Sequence, residues 1–324
     1  MKLTRRAVAL LPLALLAGGA AAQSPAYPSK LITMMVGSAP GGTTDISARM
    51  LAEPLGRALG QTVVVDNRAG ASGAIAAVAV KRAEADGHTL LMQYSGYHVI
   101  TPAVNKHPLG WEPKDFQPVA NVLSAPQVVV VRSSLPIKTM AELIAHAKAN
   151  PGKLTYASSG NGSLQHVTGA MLEQQAGIQM THIPYKGTGP AMQDLLGNQV
   201  DVTFGTPPPY MPHIQSGKLR ALAVTSKTRV GSLPDVPTAA EAGLPKLDAT
   251  SWFAVFAPAA TPKPVIDKLT AEIARVMATP EFKKKAEDLG ATADYMTPAQ
   301  LGEFTQAELK RWAEVVKSAR IEAD

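Results

Sequence analysis

The 324-residue chain contains no cysteine. It therefore has no disulfide and no thiolate chemistry, although its N-terminus directs it to an oxidising compartment. Aromatic residues are few, at 5%. Past the N-terminus no apolar run is long enough to span a bilayer. There is no low-complexity tract, no recognition-helix pattern and no interleaving of basic and aromatic residues, so nucleic acid is not an expected partner. The seven histidines show no His-x3-His or comparable ligand spacing, and neither a metal nor a cofactor is expected.

Residues 1–22 read as a secretory leader. Lys2, Arg5 and Arg6 form a basic region, Ala7 to Leu16 an apolar one, and Ala20-Ala21-Ala22 a small-residue cleavage site. Thr4-Arg5-Arg6 matches a twin-arginine signal only weakly, so ordinary and twin-arginine export both remain open. Cleavage near Ala22 starts the mature chain near Gln23 and places it in the periplasm. No cysteine stands there to carry a lipid. Loss of Lys2, Arg5 and Arg6, with no acid, lowers the formal charge from +6 to +3. About 300 residues exceed one ordinary compact domain, which predicts two lobes.

One device recurs along the mature chain. The apolar run Leu31 to Val36 reads as a buried strand, and Ile46, Met50, Leu55 and Leu59 mark a helix. Between them lies Gly37-Ser38-Ala39-Pro40-Gly41-Gly42-Thr43-Thr44-Asp45, with Thr43 or Thr44 as the expected helix cap and Asp45 in the first turn. A strand that ends in glycines and opens a helix leaves backbone N–H groups for an anion. The pattern returns at Asp66 to Gly73, at Tyr94-Ser95-Gly96, at Ser158 to Ser163, at Tyr185 to Gly189 and at Gly205 to Pro209.

Strands alternating with helices predict an α/β fold with parallel sheets and a ligand beyond the carboxyl ends of the strands. Trp111 to Leu123 reads as irregular and proline-bounded. Crossings between lobes are placed near Ser124 and Lys246. This assigns 23–124 with 246–324 to one lobe and 125–245 to the other.

The same loops carry residues that suggest other chemistry. Gly37-x4-Gly42-Thr43-Thr44 is close to a phosphate loop, but Thr43 stands where that loop needs lysine, which argues against nucleotide hydrolysis. Ser163 and His166 are three apart without a Gly-x-Ser-x-Gly elbow, and read as a helix cap with a neighbouring histidine rather than a nucleophile and base. Lys186 can pair with an anion or remain solvated. Asp45 can cap the dipole or order its loop. Tyr94, Tyr185 and Phe204 stand at strand ends, where they can wall a pocket or pack a core.

In order along nearly the whole mature chain, these segments resemble the Bug-type extracytoplasmic solute receptors of tripartite tricarboxylate transporters. The likeness is carried by Tyr27-Pro28-Ser29-Lys30, Ala39 to Asp45, Val65 to Gly73, Ala157 to His166 and Pro184 to Gly187. Leu219 to Thr225, Leu233 to Thr238 and Ala249 to Trp252 continue it. The resemblance implies a type II periplasmic-binding-protein fold of two α/β lobes with the ligand cleft between them. It implies a non-enzymatic receptor, monomeric, that delivers a small carboxylate to integral membrane transporter subunits. Pro40, Gly41, Gly42 and Thr44 match its site in one lobe; Ser159, Gly160, Gly162, Ser163 and His166 match it in the other. With Asp45, Tyr94, Ser95, Lys186 and Gly205 they make up the expected site. Gly205 is a departure, because many members that bind amino acids carry an acid there. Gly42 and Gly162 are expected to serve alike, as points where an anion comes close to a helix N-terminus. A periplasmic enzyme acting on a carboxylate, or a ligand sensor for a membrane kinase, are the alternatives.

Overall fold

Two β-sheets divide the chain. The computed structural model describes residues 27–319 apart from Lys106, so the expected leader and its cleavage point lie outside the described residues. In chain order the strands are β1 (Ile32–Val36), β2 (Val63–Asn67), β3 (Thr89–Tyr94), β4 (Phe116–Pro126), β5 (Val128–Arg132), β6 (Thr155–Ser158), β7 (Thr181–Pro184), β8 (Val202–Gly205), β9 (Leu219–Val224), β10 (Thr250–Pro258) and β11 (Thr292–Met296). The six-stranded sheet has the order β11-β4-β10-β3-β1-β2, and the five-stranded sheet β7-β6-β8-β5-β9. Each sheet with its helices is called a half below, the first being the six-stranded one.

The helices are α1 (Thr43–Leu59), α2 (Ala74–Lys81), α3 (Thr101–Val104), α4 (Met140–Ala149), α5 (Leu164–Ala176), α6 (Thr188–Leu196), α7 (Met211–Gln215), α8 (Lys263–Ala278), α9 (Pro280–Asp288) and α10 (Pro298–Ala319). Central strands are apolar along their length because helices cover both faces of the sheet. Ile32, Met34 and Val36 of β1 and Leu90, Leu91 and Met92 of β3 are fully buried.

Three features differ from the sequence reading. First, the sheets are mixed rather than parallel. The runs β2-β1-β3 and β7-β6-β8 are parallel. However, β10 is antiparallel to β3 and β4, and β5 is antiparallel to β8 and β9. Second, the stretch read as irregular, Trp111 to Leu123, contains most of β4, which is eleven residues long. Its prolines misled the reading. Pro118 pairs with Phe256 where the register shifts, and β11 reaches β4 only from Asn121 onward, so the missing N–H falls at an interruption of the ladder. Third, β3 does not end in a loop at Ser95-Gly96. Ser95 is helical, and Gly96–Ile100 forms a π-helical turn that leads into α3.

The chain passes between the sheets at Gln127 and returns at Ala249. The two crossings are bonded to each other: Gln127 N donates to Ala249 O and to Thr225 Oγ1, and Gln127 Nε2 donates to Ser251 Oγ at 2.7 Å. Leu164 and Val167 of α5 pack into the core of the first half, so this helix ties the halves together.

Candidate functional site

The β1–α1 loop is set by two glycines and one carboxylate. Gly37 passes backbone to backbone beside the β2–α2 loop, where a Cβ would stand 2.8 Å from Gly73 Cα. Gly41 has φ +85 and donates its N–H to Asp45 Oδ2 at 3.0 Å. The other oxygen of Asp45 accepts from Arg49 Nε at 2.9 Å, so this buried acid orders the loop from behind. The residue capping α1 is Gly42, not Thr43 or Thr44, and it brings no side-chain acceptor. The first-turn amides of a 17-residue helix are therefore left for another partner.

A second helix start faces it. α6 begins at Thr188, two residues before the Pro190 expected from sequence, and its cap, Gly187, also lacks a side-chain acceptor. The approach is close: a Cβ on Gly42 would lie 3.4 Å from Thr188 Cβ, and one on Gly189 would lie 2.1 Å from Pro40 O. Ala39 N donates to Lys186 O, and the Thr43 and Thr206 hydroxyls meet at 2.6 Å.

The third helix start, α5, has two of its three first-turn amides bonded within the protein. Ser163 caps it by accepting from His166 N, and Leu164 N donates to the Tyr94 hydroxyl at 3.1 Å. Tyr94 donates in turn to Gln165 Oε1 at 2.9 Å, and Tyr97 donates to Ser159 O at 2.6 Å. Ser72 Oγ donates to Asn161 O at 2.8 Å.

Between these elements lies a small cavity lined by Ser38, Gly42, Thr43, Thr44, Tyr94, Tyr97, Ser159, Gln165, Thr188, Thr206 and Phe253. In this closed arrangement it admits little more than a water molecule. No charged side chain lines it. The Ser38 hydroxyl is buried there without a hydrogen-bond partner. Burial holds the tyrosines in the neutral donor form: the Tyr97 hydroxyl is pushed up to about 12, and Tyr94 is raised further. A larger groove along α1 and the edge strand β2 lies on the outer surface and receives no helix N-terminus.

Of the residues expected from sequence, Gly42, Thr44, Tyr94 and Ser159 line the cavity. Pro40 and Gly41 stand at its rim against Gly189. Asp45 braces the loop. The Ser95 hydroxyl accepts from Trp252 N and faces away into the first half. The Lys186 side chain is exposed; only its carbonyl joins the contact between halves.

Gly160 and Gly162 shape the β6–α5 loop through φ of +127 and +71. His166 Nδ1 accepts from Gly162 N, and the His166 ring stacks on His182 at 4.1 Å, almost parallel. The His182 ring nitrogen meets Ser158 Oγ at 2.6 Å, and burial, followed by the charge of His166, pushes its pKa down to about 3. Gly205 points at no open space: a Cβ there would meet the Tyr210 ring at 2.5 Å. The space that an acidic side chain at Gly205 would enter is thus filled by an aromatic ring.

Ser38, Thr43, Tyr97, Gln165, Thr188, Thr206 and Phe253 also line the cavity and were not among the expected site residues. Ser38, Thr43, Gln165 and Thr206 are sequence neighbours of expected ones, and that proximity was the available signal. Tyr97 and Phe253 gave none, since one lies within an unforeseen helical turn and the other in a strand that reads as pure core. Phe253 stacks on Tyr94 with ring centroids 5.6 Å apart.

The chain matches the family model described as tripartite tricarboxylate transporter family receptor over residues 47–321. It is 39% identical over 296 residues to protein BugT of Bordetella pertussis, covering 90% of each chain. Among solved structures it is similar to the periplasmic binding protein BugD, with TM-score 0.87 and 38% identity over 92% of this chain and 100% of that one. It is also similar to MatC of Rhodopseudomonas palustris with bound malate, with TM-score 0.85 and 33% identity over 90% of this chain and 100% of the other.

Proposed function

We propose that this chain, which belongs to the tripartite tricarboxylate transporter receptor family, captures a small carboxylate between its two halves in the periplasm and delivers it to integral membrane transporter subunits. The observation that carries the ligand class is the meeting of two glycine-capped helix starts, α1 and α6, at a small cavity that also holds the unpaired Ser38 hydroxyl. Helix N-termini favour negative charge, and charge-assisted hydrogen bonds contribute roughly 1.5–3 kcal/mol each, so a few offset the desolvation of one carboxylate without a buried lysine. The similarity to a structure with bound malate supports the same class.

The halves part to admit the ligand and close over it, flexing at the paired crossings of Gln127 and Ala249. No enzymatic step is assigned. The Ser163 hydroxyl caps His166 N, and His166 Nδ1 accepts from Gly162 N, so this pair is engaged in holding the loop. The mature protein acts as a monomer after removal of its leader near Ala22.

Thermal-shift screening of the mature protein against organic acids, followed by isothermal titration, tests the reading. A ligand that binds only the native state raises its apparent stability. Stabilisation by di- or aromatic carboxylates is expected, with a smaller radius of gyration on saturation in small-angle scattering. Absence of binding to every acid in the panel counts against the carboxylate assignment.

A further inference from the structure

Gln165 lies at the centre of the contact between the halves, and its orientation is fixed. The Tyr94 hydroxyl already accepts the N–H of Leu164, so its own proton is free to be donated, and it reaches Gln165 Oε1 at 2.9 Å. Ser159 Oγ donates to the same oxygen at 2.7 Å. Two hydroxyl donors saturate that carbonyl oxygen. The amide nitrogen is left directed at Thr188 Oγ1, 3.3 Å away, on the first residue of α6. The side chain is buried, so the amide does not exchange these partners for water.

Neither of the two positions that could give a ligand ammonium group a carboxylate partner supplies one. The Asp45 carboxylate is held by Gly41 N and Arg49. The space beyond Gly205 is filled by the Tyr210 ring. Desolvating an ammonium group without an acceptor is costly.

We propose that Gln165 is a specificity-determining residue: with its oxygen held by Tyr94 and Ser159 it offers the cavity only N–H donors, so the site takes organic acids and rejects their amino-bearing counterparts. The inference rests on the reading of the cavity as a carboxylate site and adds the chemical class that it excludes.

Gln165→Glu has the same shape and can still accept from Tyr94 and Ser159 through one oxygen, but it puts an anionic acceptor where the amide N–H stood. Isothermal titration of the wild type and Q165E with two matched pairs, succinate with aspartate and glutarate with glutamate, reads the effect. The wild type should bind the plain acid at least about tenfold more tightly than its amino counterpart, the worth of one unsatisfied buried polar group. In Q165E the plain acid should lose affinity while the amino acid loses less, so that the ratio shrinks about tenfold or reverses. A purely structural role would weaken both members equally.

If Q165E does not fold, Ser159→Ala serves. It removes one of the two donors on Oε1, frees the amide to turn its oxygen to the ligand, and should narrow the ratio in the same direction. An unchanged ratio in a folded variant, or tighter binding of the amino member by the wild type, overturns the role of Gln165 and leaves the receptor assignment standing. Failure of the wild type to bind any organic acid of the thermal-shift panel, these pairs included, overturns the carboxylate reading and this inference together.

Discussion

The β1–α1 loop and the β6–α5 loop are built from the same parts, a buried strand, a run of glycines and a helix start, yet they do opposite things. At α1 the cap is Gly42, which has no side chain to offer, and the first turn is open to the cavity. At α5 the cap is Ser163, whose hydroxyl accepts from His166 N, and the Tyr94 hydroxyl of the other half takes the Leu164 N–H. An anion site needs unclaimed amides, and the second loop has two of its three first-turn amides engaged by the protein. The glycine-rich pattern therefore marks where helices start at the ends of strands. The type of the capping residue decides which of those starts is left for a ligand.

The largest expected effect is at Gly42. Its φ of −85 and ψ of 166 are open to any residue, so Gly42→Val leaves the backbone unstrained. Its Cβ would lie 3.4 Å from Thr188 Cβ, and the two methyl groups beyond would fill the space between the helix starts. Carboxylate affinity should fall at least about 100-fold, the equivalent of two charge-assisted hydrogen bonds, with an unchanged circular dichroism spectrum. Wild-type titration behaviour in a folded variant would place the ligand elsewhere.

Gly162→Val is the counterpart and should fail in a different way. Sequence alone puts the two glycines on one footing, but Gly162 has φ +71, and a Cβ there would stand 2.7 Å from Val104 Cγ2 and 3.3 Å from Thr101 Cα. Left-handed backbone costs about 1–2 kcal/mol for a residue with a Cβ, and overpacking about 1–3 kcal/mol. Urea denaturation should show a loss of roughly 2–5 kcal/mol, before any effect on binding is considered. Full stability with loss of affinity alone would mean that this loop also touches ligand directly, and the contrast between the loops would disappear.

What could be read from sequence follows the same line. Apolar strands and glycine punctuation make the α/β alternation visible, because both are local properties of the chain. The antiparallel course of β5 and β10 is not local; it follows from the chain crossing between the sheets and back. β4 was hidden because Pro118 normally excludes a central strand, and only the register shift opposite Phe256 accommodates it. β11 was hidden because it is five residues of mixed polarity at a sheet edge. In the site, the pattern located the loops but not their partners. Gln165 was passed over between Ser163 and His166 because nothing local says that its amide meets Tyr94 and Thr188 from two other elements.

A smaller effect is expected from Tyr94→Phe, which removes the hydroxyl that closes the second loop. The buried Leu164 N–H and Gln165 Oε1 each lose a partner, a cost of about 1–1.5 kcal/mol in net hydrogen bonding or roughly tenfold in affinity. Amide exchange at Leu164 should accelerate, while exchange in the first turn of α1 should not. Unchanged protection of Leu164 would mean that the second loop is capped by something other than Tyr94, and that the two loops are more alike than the geometry indicates.

The smallest expected effect is a pH dependence that starts behind the second loop. His182 lies between His166, at 4.1 Å, and Tyr156, at 4.9 Å, and meets Ser158 Oγ. Its pKa of about 3 is below the ordinary 6.5, so the native state binds fewer protons than the unfolded chain between those values. This contribution to stability is complete above 6.5 and is lost progressively as pH falls towards 3. Buried His98, in the first half, behaves in the same sense and for the same reason, at about 3. Glu173, beside Tyr156, works in the opposite sense: burial raises it above its ordinary 4.5, so its contribution grows on acidification through that region. Between pH 7 and 5 two histidines act against one opposing carboxyl group. Over that interval the urea midpoint of the wild type should fall. His182→Gln, which keeps a partner for Ser158 without a titrating ring, should remove part of the slope and leave the share of His98. A slope unaffected by H182Q would assign the whole dependence to the first half, and the second loop would then be held by its glycines and Ser163 alone.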